Sequence, residues 1–389
     1  MKKIVFFCIP AHGHTNPTLE VVKELVSCGN EVIYYSYNLF KDKIESAGAK
    51  FVSCDDFDME QKLTPKDSAR IGKDLAFSTK ILVDTTLLLD EKVCSDMKRI
   101  KPDCIVYDSM AVWGKTVAIK LGIPYICSTT TFAFNKYSAK IMKQSPKDII
   151  KMLFSMPKIS KDIKRLQEKG YDIKNVLDLI GSDEKADTIV YTSRDFQPFS
   201  ETFPENFSFV GPSIRKTSEV FEKKCDKLIY ISMGTVNNDM LPLYKNCISA
   251  FENTDYQVVI SIGNIVSKDE FMPTPDNIEI HSYVDQIAVL KKADVFLSHC
   301  GMNSASEGLY FSVPLLMLPQ TTEQKSVAER VRQFSAGMML EKTDPESILK
   351  ATEKLISDDT FKNNAKNISN GFKNSSGAKG AAEKILSIC

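Results

Sequence analysis

Short apolar runs recur along the first half of the chain, separated by longer amphipathic or polar segments. The runs that look most like strands are four to six residues long: IVFFCI, EVIYYS, FVSC, CIVYD, YICST and TIVYTS, between Ile4 and Ser193. Runs of this length suit buried strands, and the segments between them are long enough for helices. Regular alternation of the two is typical of a parallel sheet covered by helices. The pattern therefore predicts an α/β domain in this half.

A second alternation of the same kind fills the other half of the chain. Its apolar runs are LIYISM, QVVISI, IEIHSY, DVFLSH and PLLMLP, between Leu228 and Pro319. They predict a second doubly wound sheet, in which ligands are expected at the carboxyl ends of the strands. Between the two sets lies RKTSEVFEKKCDK, a charged segment without periodicity, which we interpret as an interdomain linker.

The predicted fold class is therefore α/β, with two Rossmann-like doubly wound parallel-sheet domains. The pattern gives a first domain over residues 1–210, a linker over 211–226 and a second domain over 227–374, followed by a helix-compatible tail over 375–389. A chain of 389 residues exceeds the usual size of a single core, so two domains are the expected arrangement.

Composition narrows the range of partners and compartments. The 50 basic and 50 acidic residues balance, which argues against a nucleic-acid partner attracted by net charge. No apolar run approaches the roughly 18 residues of a membrane span, and His12, His14 and Asn16 interrupt the N-terminal run too early for a signal peptide. The ten cysteines show no CxxC spacing, and several lie in apolar runs, as reduced core thiols do. We expect a soluble cytoplasmic monomer or homodimer.

One segment departs from the balanced charge. Residues 136–174 contain eleven basic and four acidic side chains, interleaved with apolar residues. A solvated amphipathic helix beside a substrate-binding site is the favoured interpretation. A lid over that site and a helix at a membrane surface remain open as alternatives.

The clearest chemistry lies in SHCGMNSASEGLYFSVPLLMLPQTTEQ, which starts at Ser298. A strand and a short loop lead into a helix predicted from about Asn303 to Tyr310. The first turn of a helix has unpaired N–H groups and a partial positive charge, so it binds anions. We expect a diphosphate over Asn303 and Ser304 with the imidazole of His299 beside it.

The same segment supplies groups for the rest of a sugar nucleotide. Gly301 lets the backbone come close to the ligand, and Glu307, one turn into the helix, is placed to reach a ribose diol. Glu323 and Gln324 are expected to end the next strand at the same edge of the sheet, where they could meet sugar hydroxyls. The order of these groups predicts a sugar-nucleotide site.

This segment resembles the donor-binding signature of the family 1 glycosyltransferases, in which a pattern close to HCGxNSxxEG precedes a strand and an acidic-Gln pair. The likeness covers nearly the whole chain, since AHGHTNPTLEVVKEL, FVGPS and YISMGT occur in the family's order. Bacterial macrolide-type glycosyltransferases look most similar. The resemblance implies the GT-B architecture, in which two Rossmann-like domains face each other across a cleft and the C-terminal tail packs back on the first domain.

The resemblance also implies roles for single residues. In the family the His and the Ser contact the phosphates, the Glu binds the ribose hydroxyls, and the acidic-Gln pair holds the hexose. By position these roles fall on His299 and Ser304, on Glu307, and on Glu323 and Gln324.

Five further positions are assigned to the donor. Gly234 and Thr235 follow the strand LIYIS and resemble the family's phosphate-side loop, with a simple turn as the alternative for Thr235; Gly13 is included as well. Tyr283 stands where plant members have the Trp of Trp-x-Pro-Gln, so the base would stack on a smaller ring and the choice of base is left open. Gln286 ends that motif.

Two residues are candidates for proton transfer. His14 is expected in the loop after the first strand, before Pro17 opens a helix, so its imidazole should protrude at the carboxyl edge of the sheet. Asp108 ends the strand CIVYD and is placed to hydrogen-bond the far nitrogen of His14, which fixes the tautomer. The resemblance implies that His14 is the catalytic base and Asp108 its partner. A loop cap for His14 and a helix N-cap for Asp108 are the structural alternatives.

Three other patterns were weighed. Phe132 and Phe134 are candidates for an apolar acceptor wall, with core packing as an equal alternative. The DxD within Asp55–Asp58 resembles a metal-diphosphate motif, but it lies in the first domain, away from the predicted donor half, so no metal is expected. The HGH that ends at His14 is one residue shorter than the HxGH of nucleotidylyltransferases.

The sequence as a whole predicts an inverting, metal-independent hexosyltransferase. Its partners would be a nucleotide sugar, with UDP-glucose preferred and TDP left open, and a hydroxyl of a small apolar acceptor such as a macrolide, a flavonoid or another phenolic. No cofactor is expected beyond the co-substrate. A sugar-nucleotide epimerase of the same fold and a non-catalytic nucleotide-sugar binding protein are the alternatives.

Overall fold

The computed structural model describes residues 1–57, 70, 74–135, 137, 146–180, 186–235 and 238–389, without the side chains of 146–152, 177 and 180. The chain divides into two compact units. The first unit contains Met1–Ser213 and Ser375–Cys389, and the second contains Ile214–Asn374.

The first unit is built on a parallel sheet in the order β3-β2-β1-β4-β5-β6-β7. Its strands are β1 Lys3–Phe7, β2 Glu31–Ser36, β3 Lys50–Ser53, β4 Cys104–Asp108, β5 Tyr125–Thr129, β6 Asp187–Val190 and β7 Phe207–Phe209. Alternate residues of β1 enter different cores: Ile4 and Phe6 pack on one face, and Val5 and Phe7 on the other. Burial on both faces explains why these strands read as continuous apolar runs.

Helices cover both faces of this sheet. The helices of this unit are α1 His12–Ser27, α2 Lys41–Ser46, α3 Leu75–Ile100, α4 Val112–Leu121, α5 Pro146–Glu168, α6 Val176–Ile180 and, at the C-terminus, Gly377–Ile388, with short 3-10 turns at Asn38–Phe40, Asp55–Phe57 and Ser200–Thr202. Of these, α5 and α6 pack on α3 in a separate core. The C-terminal helix buries Ala381, Ala382 and Ile385 in the core that α1 also lines. The tail is therefore an integral part of the first unit.

The second unit contains a parallel sheet in the order β10-β9-β8-β11-β12-β13. The strands are β8 Leu228–Ser232, β9 Gln257–Ser261, β10 Ile278–His281, β11 Val295–Ser298, β12 Leu315–Met317 and β13 Gly337–Met339. The helices are α7 Leu241–Phe251, α8 Gln286–Leu290, α9 Met302–Tyr310, α10 Thr322–Gln333, α11 Pro345–Ser357 and α12 Asp359–Asn374, with a 3-10 turn at Lys268–Phe271; the C-terminal helix is then α13. The predicted fold class, two doubly wound parallel-sheet domains, is confirmed in each unit.

Two edge strands were not predicted from the sequence. β7 and β13 are three residues long, and β13 begins with a glycine. Their sequences, FSF and GMM, do not lie in an apolar run as long as PLLMLP, which contains LLM of the equally short β12. Their pairing is decided by the neighbouring strands β6 and β12. Both extend a sheet whose centre was predicted.

The charged segment that follows Ser213 belongs to the second unit. Ion pairs join Arg215 to Asp285, Lys223 to Asp294 and Lys224 to Glu279. The Arg215 contact is bidentate, with N–O distances of 2.9 and 2.6 Å, the geometry in which a guanidinium binds a carboxylate most strongly. The segment shows no hydrophobic periodicity because ion pairs, and not a buried apolar face, hold it to the rest of the second unit.

No helix in the described part of the chain is long and apolar enough to cross a membrane. All ten cysteines lie in the described part of the chain, and none of them forms a disulfide. Seven are buried: Cys8, Cys54, Cys94, Cys104, Cys127, Cys247 and Cys300.

Candidate active site

Each sheet has a point where the strand order changes direction, and the candidate residues collect there. In the first unit β1 lies between β2 and β4, so chain segments leave β1 and β4 in opposite directions at their carboxyl ends. His14 follows β1 and Asp108 ends β4. Because β1 and β4 are paired, with Phe7 opposite Tyr107, the two side chains arrive next to each other.

His14 and Asp108 form a direct hydrogen bond. Nδ1 of His14 is 2.7 Å from Oδ2 of Asp108. Asp108 is buried, whereas about a fifth of the His14 side chain, 19%, is exposed. The other carboxylate oxygen accepts the backbone N–H of Met110 at 2.9 Å, which fixes the plane of the carboxylate. With the Nδ1 proton directed to Asp108, Nε2 carries the lone pair and can accept a proton.

Two details of this pair differ from the sequence-based expectation. His14 lies in the first turn of α1, which begins at His12 after an extended Ala11, and not in a loop; Pro17 lies inside the helix. Helix α4 has Ala111 as its N-cap, so Asp108 is not the cap. Its carboxylate bonds Met110 instead, in a turn before the helix begins.

Sequence reasoning missed a third group at this point. Oγ1 of Thr130 lies 3.2 Å from Nδ1 of His14, and Thr130 is buried. It follows β5, which pairs with β4, so its hydroxyl reaches the pair from the adjacent strand. The signal in the sequence was its place directly after YICST, at the same edge of the sheet as Asp108.

The change of direction in the second unit lies between β8 and β11, where Ser232 is opposite Ser298. His299 follows β11, and Gly234 follows β8. A Cβ built on Gly234 would come within 2.6 Å of Cε1 of His299, and one built on Gly301 within 2.6 Å of Nε2. The imidazole thus lies in a slot lined by the two glycines, and any larger residue at either position would displace it.

The slot also sets the charge of the imidazole. Burial lowers the pKa of His299 to about 4, so the ring is neutral at physiological pH. The Ser232 backbone opposes this shift of the pKa, but Nδ1 is buried and makes no hydrogen bond of standard geometry to the described residues. A neutral imidazole can donate one hydrogen bond to a phosphate oxygen without carrying a charge.

Helix α9 starts directly beyond this slot. Its N-cap is Gly301, which has no side chain to bond the first N–H groups. Asn303 and Ser304 are half-buried in the first turn. An uncapped helix start with a neutral imidazole beside it is suited to binding an anion.

Glu307 is one turn further along α9. Gln286 donates from Nε2 to Oε2 of Glu307, and Tyr230 donates to Oε1 of Gln286 at 3.2 Å. Burial raises the pKa of Glu307, opposed by the Gln286 hydrogen bond and by the charge of Arg215. The predicted donor residues Gln286 and Glu307 are therefore in direct contact, while Tyr283 is 76% exposed and its ring face is accessible for stacking.

Glu323 and Gln324 lie in the first turn of α10 and not at a strand end, which corrects the sequence-based placement. Gln324 is buried, and its Oε1 accepts the N–H groups of Gln320 and Thr321 at 2.7 and 3.2 Å. This is a capping box with Thr321, so the carbonyl of Gln324 serves the helix start. Glu323 is half-buried, and its charge adds to the burial that raises the pKa of Cys300, in the loop before α9.

The remaining candidate residues differ in how deeply they are buried. Phe132 is buried, with its ring centroid 5.8 Å from that of Phe196, as the core-packing alternative expects, while Phe134 is half-buried. Gly13 is exposed in the first turn of α1, and Thr235 is exposed after β8.

The DxD and HGH patterns make ordinary structural contacts where the structure describes them. Asp55 accepts the backbone N–H of Asn38 and the hydroxyl of Ser53, and Asp58 lies outside the described residues. His12 packs on Phe40 with 4.9 Å between ring centroids. Among the described residues no group of three or more His, Cys, Asp or Glu side chains is arranged to hold a metal ion.

Comparison with known proteins yields one family. Residues 245–384 match the model of the erythromycin biosynthesis protein CIII-like C-terminal domain. The chain is 33% identical to the uncharacterized UDP-glucosyltransferase YojK of Bacillus subtilis (strain 168), covering 99% of this chain and 97% of the relative. It is also 33% identical to the NDP-glycosyltransferase YjiC of Bacillus licheniformis, with the same two coverages. The crystal structure of CalG4, the calicheamicin glycosyltransferase, superimposes with a TM-score of 0.83 at 25% identity, covering 100% of this chain and 98% of that one.

Proposed function

Because the chain belongs to the UDP-glycosyltransferase family, among relatives of the macrolide type, we propose that it transfers glucose from UDP-glucose to a hydroxyl of a small apolar acceptor. The chain is a glycosyltransferase of the natural-product type. The sugar, the base and the acceptor class are the subject of the proposal. UDP-glucose is supported by the name of the YojK relative.

The observation that carries the proposal is the hydrogen bond between His14 Nδ1 and Asp108 Oδ2 at 2.7 Å. It holds the proton on Nδ1, so Nε2 is the basic nitrogen of this partly exposed imidazole. A general base of this kind contributes about 10² to 10⁴ in rate. A protein that only binds a nucleotide sugar has no use for it.

In this proposal the reaction is a single displacement. Nε2 of His14 takes the proton of the acceptor hydroxyl while its oxygen attacks the anomeric carbon from the face opposite the diphosphate. The bond between the anomeric carbon and the diphosphate oxygen breaks, and UDP leaves with the electron pair. The configuration at the anomeric carbon is therefore inverted. Asp108 stabilises the imidazolium that forms.

The donor is assigned to the second unit. The N–H groups at the start of α9, with Asn303 and Ser304, face the diphosphate, and neutral His299 and Thr235 donate to it. They stabilise the charge that develops on the leaving group, so no metal ion is needed. Glu307 accepts from the ribose hydroxyls, and Tyr283 stacks on the base.

We assign recognition of the hexose of the donor to Glu323. Glu323 is half-buried, and its charge contributes to raising the pKa of Cys300 in the loop before α9. A carboxylate binds sugar hydroxyls more strongly than a neutral acceptor does. Gln324 has its carbonyl engaged in the capping box, which leaves its amide nitrogen for a sugar hydroxyl.

A direct experiment tests the proposal. The protein is incubated with UDP-glucose or TDP-glucose and a panel of macrolide, flavonoid and lipid alcohols, and products are analysed by mass spectrometry for an added hexose. NMR of the product gives the anomeric configuration. A retained configuration would contradict the displacement, and donor binding without any product across the panel would favour the non-catalytic alternative. Conversion of the sugar nucleotide to an isomer without acceptor would favour the epimerase, which the matched relatives described above do not support.

A further inference from the structure

Asn238 lies beside the direction change of the second sheet without being one of the expected donor contacts. Its side chain is 2% exposed, and Nδ2 donates to the backbone carbonyl of Gly234 at 3.1 Å. Its own backbone carbonyl accepts the N–H of Met240 at 2.9 Å, so the residue is anchored at the start of α7. The amide therefore connects a fixed backbone to the turn that follows β8.

The carbonyl that Asn238 holds belongs to one wall of the His299 slot. Gly234 has a left-handed φ of +83°, and its Cα faces the imidazole so closely that a Cβ would come within 2.6 Å of Cε1. Besides Asn238, the described bonds to this turn include one from Gly234 N–H to the Ser232 hydroxyl, which is long at 3.4 Å. The Asn238 bond is thus the stronger restraint on this wall.

Gly263, which follows β9, makes room for the Asn238 amide. A Cβ built on Gly263 would lie 1.8 Å from Nδ2 of Asn238 and 2.7 Å from its Cγ. The amide occupies the space that any side chain at residue 263 would need. Its Oδ1 is buried and has no hydrogen-bond partner within the described ranges, so the bond to Gly234 is what orients the amide there.

We propose that Asn238, packed on Gly263, is a positioning residue that sets the Gly234 turn and with it the place of His299 at the diphosphate end of the donor site. This inference rests on the proposed function, because it assumes that His299 contacts the diphosphate. Asn238 touches no reacting atom and acts through the Gly234 wall.

A double-mutant cycle tests the coupling. Asn238→Ala removes the bond to Gly234 and is expected to weaken UDP binding about fivefold to tenfold, the usual effect of one hydrogen bond. Gly263→Ala should weaken binding at least as much, because its Cβ expels the Asn238 amide. In the Asn238→Ala background the added Cβ no longer meets the three amide atoms within 4 Å of it, so Gly263→Ala should then change the dissociation constant less than twofold. The strain of its φ of +74° is present in both backgrounds and cancels in the cycle.

Two readouts separate positioning from general destabilisation. UDP and TDP dissociation constants are measured by calorimetry, and the imidazole nitrogens are followed by NMR, which is tractable because the chain has four histidines. We expect the His299 resonances to shift in Asn238→Ala while those of His14 stay in place. Asn238→Gln keeps an amide but on a longer stem. Its His299 resonances should still differ from those of the parent protein.

Asn277 provides a matched control. Its Nδ2 donates to the carbonyls of Phe251, Thr254 and Tyr256, at the amino end of β10 and so at the opposite edge of the same sheet. Asn277→Ala should lower the melting temperature but leave UDP affinity and the His299 resonances unchanged.

The outcomes distinguish the inference from the function on which it rests. Additive effects of the two substitutions, or an Asn238→Ala variant that binds UDP like the parent with unshifted His299 signals, would overturn the inference and leave the function intact. A parent that binds neither UDP nor TDP would overturn the proposed function, and the NMR comparison would still decide whether Asn238 positions His299.

Discussion

The two units present a histidine at the same place in their sheets, and they hold it by opposite means. His14 stands where β1 meets β4, and His299 where β8 meets β11. His14 is fixed by a charged partner, Asp108, at 2.7 Å. His299 has no such partner; two glycines shape the slot around it.

The difference teaches how one side chain can serve two tasks. A carboxylate at Nδ1 fixes the tautomer and stabilises the protonated ring, which is what a base requires. Burial in a slot without a counter-charge does the reverse. It lowers the pKa of His299 to about 4 and keeps the ring a neutral hydrogen-bond donor. We infer that the first unit prepares proton transfer and the second prepares anion binding.

The largest expected effect comes from removing His14, the histidine with a charged partner. His14→Ala should lower kcat for transfer by about 10² to 10⁴, because the general base is lost. The dissociation constant for UDP should stay within twofold of the parent value, since the donor residues belong to the second unit. Asp108→Asn should lower kcat in the same direction. A parallel loss of UDP affinity in His14→Ala would show that His14 is structural.

The second prediction concerns His299, the histidine that is buried as a neutral ring. In the unfolded chain the pKa of His299 returns to about 6.5, so the unfolded state binds more protons than the folded state between pH 6.5 and about 4. The free energy of unfolding should therefore fall as the pH drops through this window, by up to about 3 kcal/mol from this residue.

Comparison with His299→Asn isolates that contribution. Urea unfolding at a series of pH values should give a parent curve that declines more steeply than the variant curve below pH 6.5, and the two should run parallel above it. Parallel curves over the whole range would mean that His299 is not buried as a neutral ring.

The third prediction separates the hexose contact from the UDP contacts, which are both assigned to the second unit. Glu323→Ala should lower turnover of UDP-glucose by about one to two orders of magnitude, since a hydrogen bond to a charged group contributes about 1.5 to 3 kcal/mol. UDP should still bind, because His299, Ser304 and Glu307 remain.

Thr321→Ala serves as the control for α10. It removes the side-chain cap next to Glu323 and is expected to cost about 1 kcal/mol of stability with little change in turnover. Unchanged turnover in Glu323→Ala would show that the hexose is recognised elsewhere, and the preference for glucose would lose its support.

The smallest expected effect is that of metal removal. If the start of α9 and neutral His299 balance the diphosphate charge, EDTA should leave the transfer rate unchanged within error. Addition of Mg²⁺ or Mn²⁺ to EDTA-treated protein is the control. A strict requirement for either ion would return attention to Asp55 and its neighbours.

The sequence by itself determined the fold class and the segments that carry the chemistry. Apolar runs of strand length recur because strands buried on both faces have no polar side, so their number and order were readable without a structure. His14, Asp108, His299 and Glu307 were recognisable because each directly follows or ends such a run, or lies in the helix that follows it. Comparison with relatives confirmed the family that these segments indicated.

Tertiary structure alone decided how these residues are held. The start of α1 at His12, the capping box that engages Gln324, and the contact of Thr130 with His14 depend on the atoms that neighbouring elements bring within bonding distance. The slot around His299 and the packing of Asn238 on Gly263 join residues from separate strands. Hydrophobic pattern specifies which face of an element is buried, but it contains no information on which side chains meet across the edge of a sheet, because that depends on register and backbone geometry.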